Sequence, residues 1–222
     1  MKQKKKLDIF VYYISNMSNR ILSIYNSRNT ILAFMKELGY DISNYEEFSI
    51  NEIDAMNKNE QLDMLLTRET DGRKVYIKYL IHVKQVRKEN IDQLVEDLYD
   101  IEILLTKADT LVIITNDEPN DTIQQKIAYL YDRLQIFIVM HNIKRLQYNI
   151  LEHILVPKAT ILAENQVDDL KTKFHLKSLA QLPEISRFDP QALALCLRPG
   201  QVLEIQRKSD TAMTYPYYRV CC

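Results

Sequence analysis

Glycine is scarce in this sequence, and the scarcity rules out one large class of sites. Of the 222 residues, three are glycine, and Gly39, Gly72 and Gly200 lie far apart in the chain. Loops that hold a phosphate need several glycines close together, because backbone N–H groups must approach the ligand. The sequence therefore excludes nucleotide-binding loops, and we expect the chain to carry no cofactor and to take no small-molecule substrate.

Cysteine and histidine are also few, and their spacing fits neither a disulfide framework nor a metal site. There is no Cys-x-x-Cys pair, which suits a reducing compartment. The histidines stand apart from one another and from the cysteines, whereas zinc ligands recur at short, regular spacings. We interpret Cys196 as a small apolar residue buried in a helix rather than as a nucleophile. The cysteines and histidines are Cys196, Cys221, Cys222, His82, His141, His153 and His175.

Long apolar runs and an excess of one charge are absent too. The longest apolar runs, residues 111–114 and 136–140, are strand-sized, whereas a membrane-spanning helix needs roughly 18 or more apolar residues. Lysine and arginine number 29 against 30 acidic residues, so any nucleic-acid surface must be local. The lysines at positions 2 and 4–6 are not followed by the apolar core of a secretory signal, and we interpret them as a solvated, mobile terminus rather than a DNA contact. We expect an intracellular protein without a membrane span.

Apolar periodicity predicts an α/β domain after a helical start. Three- and four-residue steps predict one helix over residues 7–24 and a second over 31–38 that stops at Gly39. The acidic stretch 41–59 is predicted to form a short helix and loops. Short strands and helices then alternate. The predicted strands are 62–66, 75–83, 111–114 and 136–140, and the predicted helices are 91–105 and 123–134.

The composition changes near residue 150, where prolines become frequent. Residues 154–156 and 160–162 resemble a strand broken at Pro157, and a short helix is predicted near 167–174. Asp189 is placed to cap a helix that starts with Pro190, and Pro199-Gly200 suits a type II turn into a strand over 201–207. The predicted fold class is α+β, with an N-terminal α/β domain over 1–148 and a small mixed α/β domain over 149–222.

One enzymatic alternative follows from two strands of the first domain. Asp63 on one strand and Lys78 on the next could fill two places of the metal site of restriction-type nucleases. The third place is Tyr76, and a phenol cannot replace the carboxylate that helps to neutralise a divalent cation. A nuclease would need Glu60 or Glu69 as the replacement ligand and would show cation-dependent cleavage. A free-standing DNA-binding protein is the other alternative, although the near-zero net charge argues against it.

The last third of the sequence carries a series of motifs in a fixed order. They are His153-Ile154-Leu155-Val156-Pro157-Lys158, Gln181-Leu182-Pro183-x-Ile185, Asp189-Pro190-x-Ala192, Pro199-Gly200-x-Val202 and Arg207-Lys208-Ser209-x-Thr211, followed by Tyr215 and Tyr218-Arg219-Val220. Together they resemble the fifth-largest common subunit of eukaryotic nuclear RNA polymerases and the archaeal counterpart of that subunit. More faintly, residues 30–42 resemble the end of the first jaw helix in this family.

The resemblance implies a non-catalytic subunit that works in transcription. It implies a C-terminal assembly domain that docks on the largest polymerase subunit, and contact with other subunits. Tyr217 would add contact area to this surface. The residues expected to bind the largest subunit are His153, Leu155, Val156, Pro157, Lys158, Gln181, Leu182, Pro183, Asp189, Pro190, Arg207, Ser209, Tyr215, Tyr218 and Arg219. The structural alternative is that several of these residues only stabilise the small domain, as Asp189 does if it caps a helix.

For the N-terminal domain the resemblance implies a jaw close to downstream double-stranded DNA, with a nuclease-like sheet but no nuclease site. Archaeal members lack the jaw, so its presence indicates a eukaryotic-type member in the nucleus, or one from a large DNA virus with a cytoplasmic factory. The DNA-proximal residues would be Pro119, Asn120, Thr122 and Lys126. A predicted capping box of Asp121 and Gln124 would place backbone N–H groups there. Nearby acidic residues would keep the contact weak and independent of sequence.

Three positions depart from the family pattern. Cys196 and Met213 stand where glycine is usual, so a left-handed backbone there would cost roughly 1 kcal/mol or more. Ala163 stands where a capping serine is usual, a loss of about 1 kcal/mol.

Overall fold

The structure, a computed structural model, describes residues 2–83, 85–209 and 211–222, and the side chains from residue 19 onward within those ranges. The chain divides into two compact units, Met1–Tyr148 (unit 1) and Asn149–Cys222 (unit 2). Both units combine helices with a four-stranded sheet. The predicted α+β fold class is confirmed. Among the described residues, no helix is both long enough and apolar enough to cross a membrane.

Unit 1 begins with a single long helix, α1 (Lys2–Glu37), so the prediction of two helices was wrong. The polar residues between the two apolar series find partners instead of ending the helix. Ser27 Oγ donates to Ile24 O at 2.8 Å, and the buried Arg28 donates to Leu62 O at 3.1 Å. Arg28 also lies over the Tyr45 ring, although its Nε and Nη2 are buried without a hydrogen-bond partner among the described residues. The predicted face of residues 7–17 and the lysines before it lie outside the described side chains.

The end of α1 follows the prediction. Gly39 has φ +83°, and Tyr40 N donates to Met35 O at 3.0 Å, which is the six-to-one bond of a Schellman motif. The acidic stretch that follows contains the predicted short helix, α2 (Ile50–Lys58), whose N-cap Ser49 and Glu52 form a capping box.

The sheet of unit 1 is mostly parallel. Its strands are β1 (Met64–Thr67), β2 (Lys74–Leu80), β3 (Thr110–Thr115) and β4 (Phe137–Asn142), in the order β1-β2-β3-β4. β1 is antiparallel to β2, and the other pairs are parallel. The crossovers contain α3 (Lys88–Val95), which continues as a π-helix (Glu96–Ile101), and α4 (Asp121–Leu134). The strands β3 and β4 are buried along their whole length, as their continuous apolar runs predicted.

The β1–β2 turn is closed by an ion pair whose strength depends on pH. Arg68 donates to both carboxylate oxygens of Asp71, at 2.8 and 2.6 Å. This hydrogen bonding lowers the pKa of Asp71 to about 2. Because the pKa is lower in the folded chain than the usual value near 4, the contact contributes fully above about pH 4 and is lost as the pH falls towards 2.

We therefore expect a carbon-detected NMR titration of Asp71 to show a midpoint near 2. The variant Arg68→Gln should move that midpoint up towards the ordinary aspartate value, because the charged donor is removed. Lys58→Gln, which removes the cation of an ion pair elsewhere on the surface, is the control and should leave the Asp71 midpoint unchanged. An unchanged Asp71 midpoint in the variant would contradict the assignment.

Unit 2 is built around a hairpin flanked by short elements. Its strands are β5 (Ala159–Ile161), β6 (Glu184–Ile185), β7 (Val202–Ser209) and β8 (Met213–Cys221), in the order β5-β7-β8-β6. Its helices are α5 (Glu164–Phe174) and the short α6 (Pro190–Ala194). The core is formed by Ile185, Ala192, Leu195, Leu197, Leu203, Ile205 and Cys221.

Several local predictions for unit 2 are confirmed. Asp189 accepts a hydrogen bond from Gln191 N at 2.9 Å, with Pro190 at the start of α6. Gly200 has φ +86°, and Gln201 N donates to Arg198 O at 3.1 Å, as a type II turn requires. Two residues at family glycine positions, Cys196 and Met213, adopt φ +48° and +58°. These positions therefore keep the left-handed backbone although neither is glycine.

Two predictions for unit 2 were wrong. Residues 154–156 do not form a strand: a 3₁₀ turn (Ile150–Glu152) precedes them, and Val156 N bonds back to His153 O at 2.8 Å. The backbone turns there because Pro157 cannot donate to a sheet ladder. Cys196 is not inside a helix but lies just after α6. Its thiol is desolvated all the same, and this burial raises the pKa of Cys196 to about 12.

The missing cap of α5 gives a testable expectation. Ala163 is the N-cap, and its N–H donates to the Gln166 side chain at 2.9 Å, but alanine has no side-chain acceptor to return the bond. Ala163→Ser should complete the box and stabilise unit 2 by about 1 kcal/mol. Hydrogen exchange of the α5 amides checks this expectation. Ala163→Val, which adds no acceptor and is as poor an N-cap residue as alanine, is the control, and an equal gain in both variants would count against the capping explanation.

Candidate functional site

In unit 1, Asp63 meets both strand residues that the nuclease comparison singled out. Its carboxylate accepts from Lys78 Nζ at 2.5 Å and from the Tyr76 hydroxyl at 3.2 Å. The backbone N–H of Tyr79 donates to the other oxygen at 3.2 Å. The Tyr76 hydroxyl is half-buried, and this burial together with the charge of Asp63 raises the pKa of Tyr76. The sequence pattern therefore correctly identified a cluster in space.

The chemistry of this cluster is structural. A lysine ammonium and a phenol hydroxyl already occupy the carboxylate, and both are donors that would compete with a cation. Among the described residues, no group of three or more His, Cys, Asp or Glu side chains could hold a metal ion. Neither Glu60 nor Glu69 joins Asp63 in such a group. The cluster ties β2 to the segment before β1.

The loop before α4 is the predicted DNA-proximal segment, and its cap differs from the prediction. The N-cap of α4 is Asn120, whose side chain accepts from Ile123 N at 3.0 Å. Asp121 is the first helical residue, and Gln124 donates to Pro119 O at 3.2 Å instead of completing a box with Asp121. The cap lies one residue earlier because Asn120 has the extended backbone that an N-cap requires.

A cavity of about 460 Å³ lies beside this loop, at the carboxyl ends of β2 and β3. Asn116 Nδ2 anchors its rim by donating to Ile81 O at 2.6 Å. The cavity is lined by Val83, Gln85, Val86, Thr115, Asn116, Asp117, Glu118, Pro119, Asn120, Ile123 and Met140.

Charged groups around the loop are largely engaged with one another. Glu118 pairs with Arg145 at 2.8 Å, and Lys126 pairs with Asp92 at 2.7 Å. Lys126 also lies over the Tyr129 ring. Its ammonium is therefore committed within the chain, which weakens it as a phosphate contact. Thr122 is exposed at the start of α4.

In unit 2, the turn before Pro157 exposes a pair of large apolar side chains. Ile154 is 86% exposed and Leu155 is 83% exposed. The imidazole of His153 accepts from Leu155 N at 3.3 Å and so helps to fix the turn. The predicted binding set contains Leu155 but not Ile154.

The segment that carries this turn is held against α6. Gln191 Nε2 donates to Pro157 O at 2.9 Å, and Gln206 N donates to Lys158 O at 2.8 Å. The structure thus brings the first and third sequence motifs together through backbone carbonyls. Val156 and Pro157 are half-buried, whereas Lys158 is exposed.

The β7–β8 hairpin gathers a second group of predicted residues. Its register pairs Arg207 with Tyr215 and Leu203 with Arg219, and alternation places these residues on the face that holds the core. Tyr217, between them, is covered by two guanidinium groups: Arg207 at 3.9 Å and Arg219 at 5.5 Å from the ring centroid. Beyond the core, Arg207, Tyr217 and Arg219 form a cation–aromatic stack on this face, and the stack is partly exposed to solvent.

Other predicted binding residues fall elsewhere. Tyr218 lies on the opposite face of the hairpin, where its ring packs against Phe174 of α5 at 5.9 Å. Pro183 uses its carbonyl to accept from Val220 N at 2.9 Å, and Gln181 accepts from Lys177 N at 2.8 Å. Leu182 is half-buried between them, and Ser209 Oγ lies 3.2 Å from Thr211 Oγ1 at the hairpin tip. These contacts, like the cap at Asp189, have structural roles within unit 2.

The fold and its surfaces define a protein suited to binding other macromolecules. Comparison with known proteins agrees with this class of protein and identifies the family. Residues 148–221 match the family model described as RNA polymerase Rpb5, C-terminal domain. The subunit Rpo5 of the DNA-directed RNA polymerase of Thermococcus kodakarensis is 45% identical over 74 residues, which are 33% of this chain and 89% of that relative. The chain belongs to the Rpb5 family of DNA-directed RNA polymerase subunits.

A second relative covers nearly the whole chain. The subunit rpabc1 of DNA-directed RNA polymerases I, II and III of Dictyostelium discoideum is 28% identical over 203 residues, which are 91% of this chain and 98% of that protein. A match of this length must extend through most of unit 1. The archaeal relative from Thermococcus onnurineus, in contrast, matches 74 residues at 46% identity. The predicted resemblance to this family is confirmed.

Proposed function

We propose that this chain is a non-catalytic assembly subunit of a DNA-directed RNA polymerase and that unit 2 docks on the largest subunit. The exposed turn at Ile154 and Leu155 carries the proposal. Two adjacent aliphatic side chains that bury almost nothing within their own unit are the kind of anchor that fills a partner's pocket. The stack of Arg207, Tyr217 and Arg219 supplies broad, rigid contact area and charged donors.

Unit 1 would then form part of the polymerase jaw near downstream DNA. The loop of Pro119, Asn120 and Thr122 presents a helix start towards which a phosphate could come close. Acidic neighbours and the committed ammonium of Lys126 limit the attraction. We therefore propose a weak contact that is independent of base sequence and sensitive to salt. The chain needs no catalytic residue for this role, because polymerisation belongs to other subunits, and it would reside in the cell compartment where its polymerase works.

Copurification from native cells tests the docking proposal. The tagged full-length chain and a variant that lacks residues 149–222 are purified at moderate salt, and their partners are identified by mass spectrometry. Recovery of the largest polymerase subunit with the full chain alone is the expected result. Equal recovery with both would place the docking surface in unit 1, and recovery of the full chain without polymerase would overturn the assignment.

A further inference from the structure

A second exposed apolar feature, outside the surfaces discussed above, lies at the end of the first crossover of unit 1. Residues 96–103, here called the acidic knuckle, comprise the π-helix and the two residues after it. Ile101 is 66% exposed and Ile103 is 72% exposed. Beneath them, Leu98 is buried, and its carbonyl accepts from Leu104 N at 3.0 Å and from Leu105 N at 3.2 Å. The knuckle is therefore anchored at its base while its tip faces solvent.

The tip of the acidic knuckle is held in an unfavourable backbone conformation. Ile103 has φ +50°, although a β-branched side chain is strongly disfavoured in the left-handed region. The exposed side chain buries too little area within unit 1 to offset that strain. π-Helical segments and left-handed non-glycine residues both concentrate at functional sites. Ile103 directly follows the C-cap of the π-helix, and the bonds from Leu104 N and Leu105 N to Leu98 O hold this turn, so an isoleucine stands where glycine or asparagine is usual.

The charge of the acidic knuckle limits what could cover it. Between residues 89 and 106 the sequence has no lysine or arginine. Six acidic residues fall in that stretch: Glu89, Asp92, Glu96, Asp97, Asp100 and Glu102. Within the described part of the chain, Asp92 alone of these six forms an ion pair, with Lys126. Nucleic acid and anionic membranes would be repelled by such a surface.

We propose that the acidic knuckle is a docking site for a basic amphipathic protein segment, whose apolar face packs on Ile101 and Ile103 while its lysine or arginine side chains meet the surrounding carboxylates. The apolar pair supplies the buried centre of the interface. The four carboxylates nearest to it, on Glu96, Asp97, Asp100 and Glu102, supply the charged rim and steer the partner. This surface belongs to unit 1, whereas the proposed polymerase-docking turn belongs to unit 2, and it adds a second partner to the chain.

A defined peptide tests the proposal on the full-length protein. The probe is a short amphipathic peptide with leucine on one face and lysine on the other, and binding is followed through the amide NMR shifts of residues 96–103. Shift changes should centre on the knuckle, and Ile101→Ser should weaken binding by about tenfold, as the loss of one buried isoleucine implies. Added salt should weaken it further. Leu134→Ser, which removes another exposed aliphatic side chain of unit 1, should leave the affinity unchanged.

Two further comparisons make the outcome decisive. Ile103→Asn keeps a residue that tolerates the left-handed backbone but removes the apolar side chain, and it should weaken binding as Ile101→Ser does. A peptide whose leucines are replaced by serine should lose most of its affinity. If the serine-substituted peptide binds as tightly as the leucine peptide, the attraction is nonspecific electrostatics, and the proposal is overturned. Unchanged affinity in both isoleucine variants, or shift changes that lie elsewhere, would also overturn it. The isoleucine variants should copurify with as much polymerase as the unsubstituted chain does. A failure of this proposal can therefore be distinguished from a failure of the docking proposal for unit 2.

Discussion

Replacing both Ile154 and Leu155 with aspartate should reduce the amount of largest polymerase subunit that copurifies with the chain by at least about tenfold. Both side chains are more than four-fifths exposed in the free chain, at 86% and 83%, so the substitutions remove almost no internal packing. In the docked state, each new carboxylate would be buried without a partner, which costs several kcal/mol. The variant should therefore keep its fold and lose its binding.

The matched control adds the same two charges to another surface of unit 2. Asn165→Asp with Thr172→Asp places both carboxylates at exposed positions of α5, a helix that the docking proposal does not use. Copurification should stay at the level of the unsubstituted chain, and circular dichroism should show equal helix content in both variants. If Ile154→Asp with Leu155→Asp retains the polymerase, the exposed turn is not the anchor and the hairpin stack becomes the principal surface.

Replacing Asp109 with alanine should destabilise unit 1 by about 3 kcal/mol. Asp109 is 4% exposed, and its carboxylate accepts from Lys74 N at 2.6 Å and from Thr106 N at 2.7 Å. The Thr106 hydroxyl donates to it as well, at 2.7 Å. Alanine would leave these backbone N–H groups without their acceptor in a site that water reaches poorly. The start of β2 and the loop before β3 would lose the side-chain hydrogen bonds through which Asp109 joins them.

Hydrogen-exchange mass spectrometry measures this effect locally, which is useful because a chain with two units need not unfold in one step. Exchange should accelerate for amides of β2 and β3 and stay unchanged in the hairpin of unit 2. Asp109→Asn keeps one acceptor oxygen, so its exchange rates in β2 and β3 should lie between those of the unsubstituted chain and those of Asp109→Ala. Equal protection of β2 and β3 in Asp109→Ala would show that these hydrogen bonds contribute little to stability.

The prediction of local structure from the sequence was accurate where neighbouring residues decide the conformation. Gly39 ends α1, Asp189 caps α6, and Pro199-Gly200 forms its turn, since each effect acts within a few residues. The buried strands β3 and β4 were also predictable, because a continuous apolar run between turn residues suits a parallel sheet covered on both faces.

The sequence could be misread wherever distant residues settle the outcome. The polar residues inside α1 favour a break in isolation, but Arg28 donates to the distant Leu62 carbonyl and lies over the Tyr45 ring, and the helix continues. Residues 154–156 have strand-like composition, yet they form an exposed turn, to which Pro157 contributes locally and the bond from Gln191 of α6 to Pro157 O contributes from a distance. Neither Leu62 nor Gln191 is near in sequence to the residues whose structure it controls.

The sequence by itself determined the family and most of the strands, because motif order and apolar period are properties of the chain. Tertiary structure alone decided which of the motif residues face solvent. It placed Tyr218 and Arg219 on opposite faces of β8, committed Lys126 to Asp92, and left Ile154 exposed. Exposure and pairing depend on contacts between residues far apart in the chain, and no local pattern encodes them.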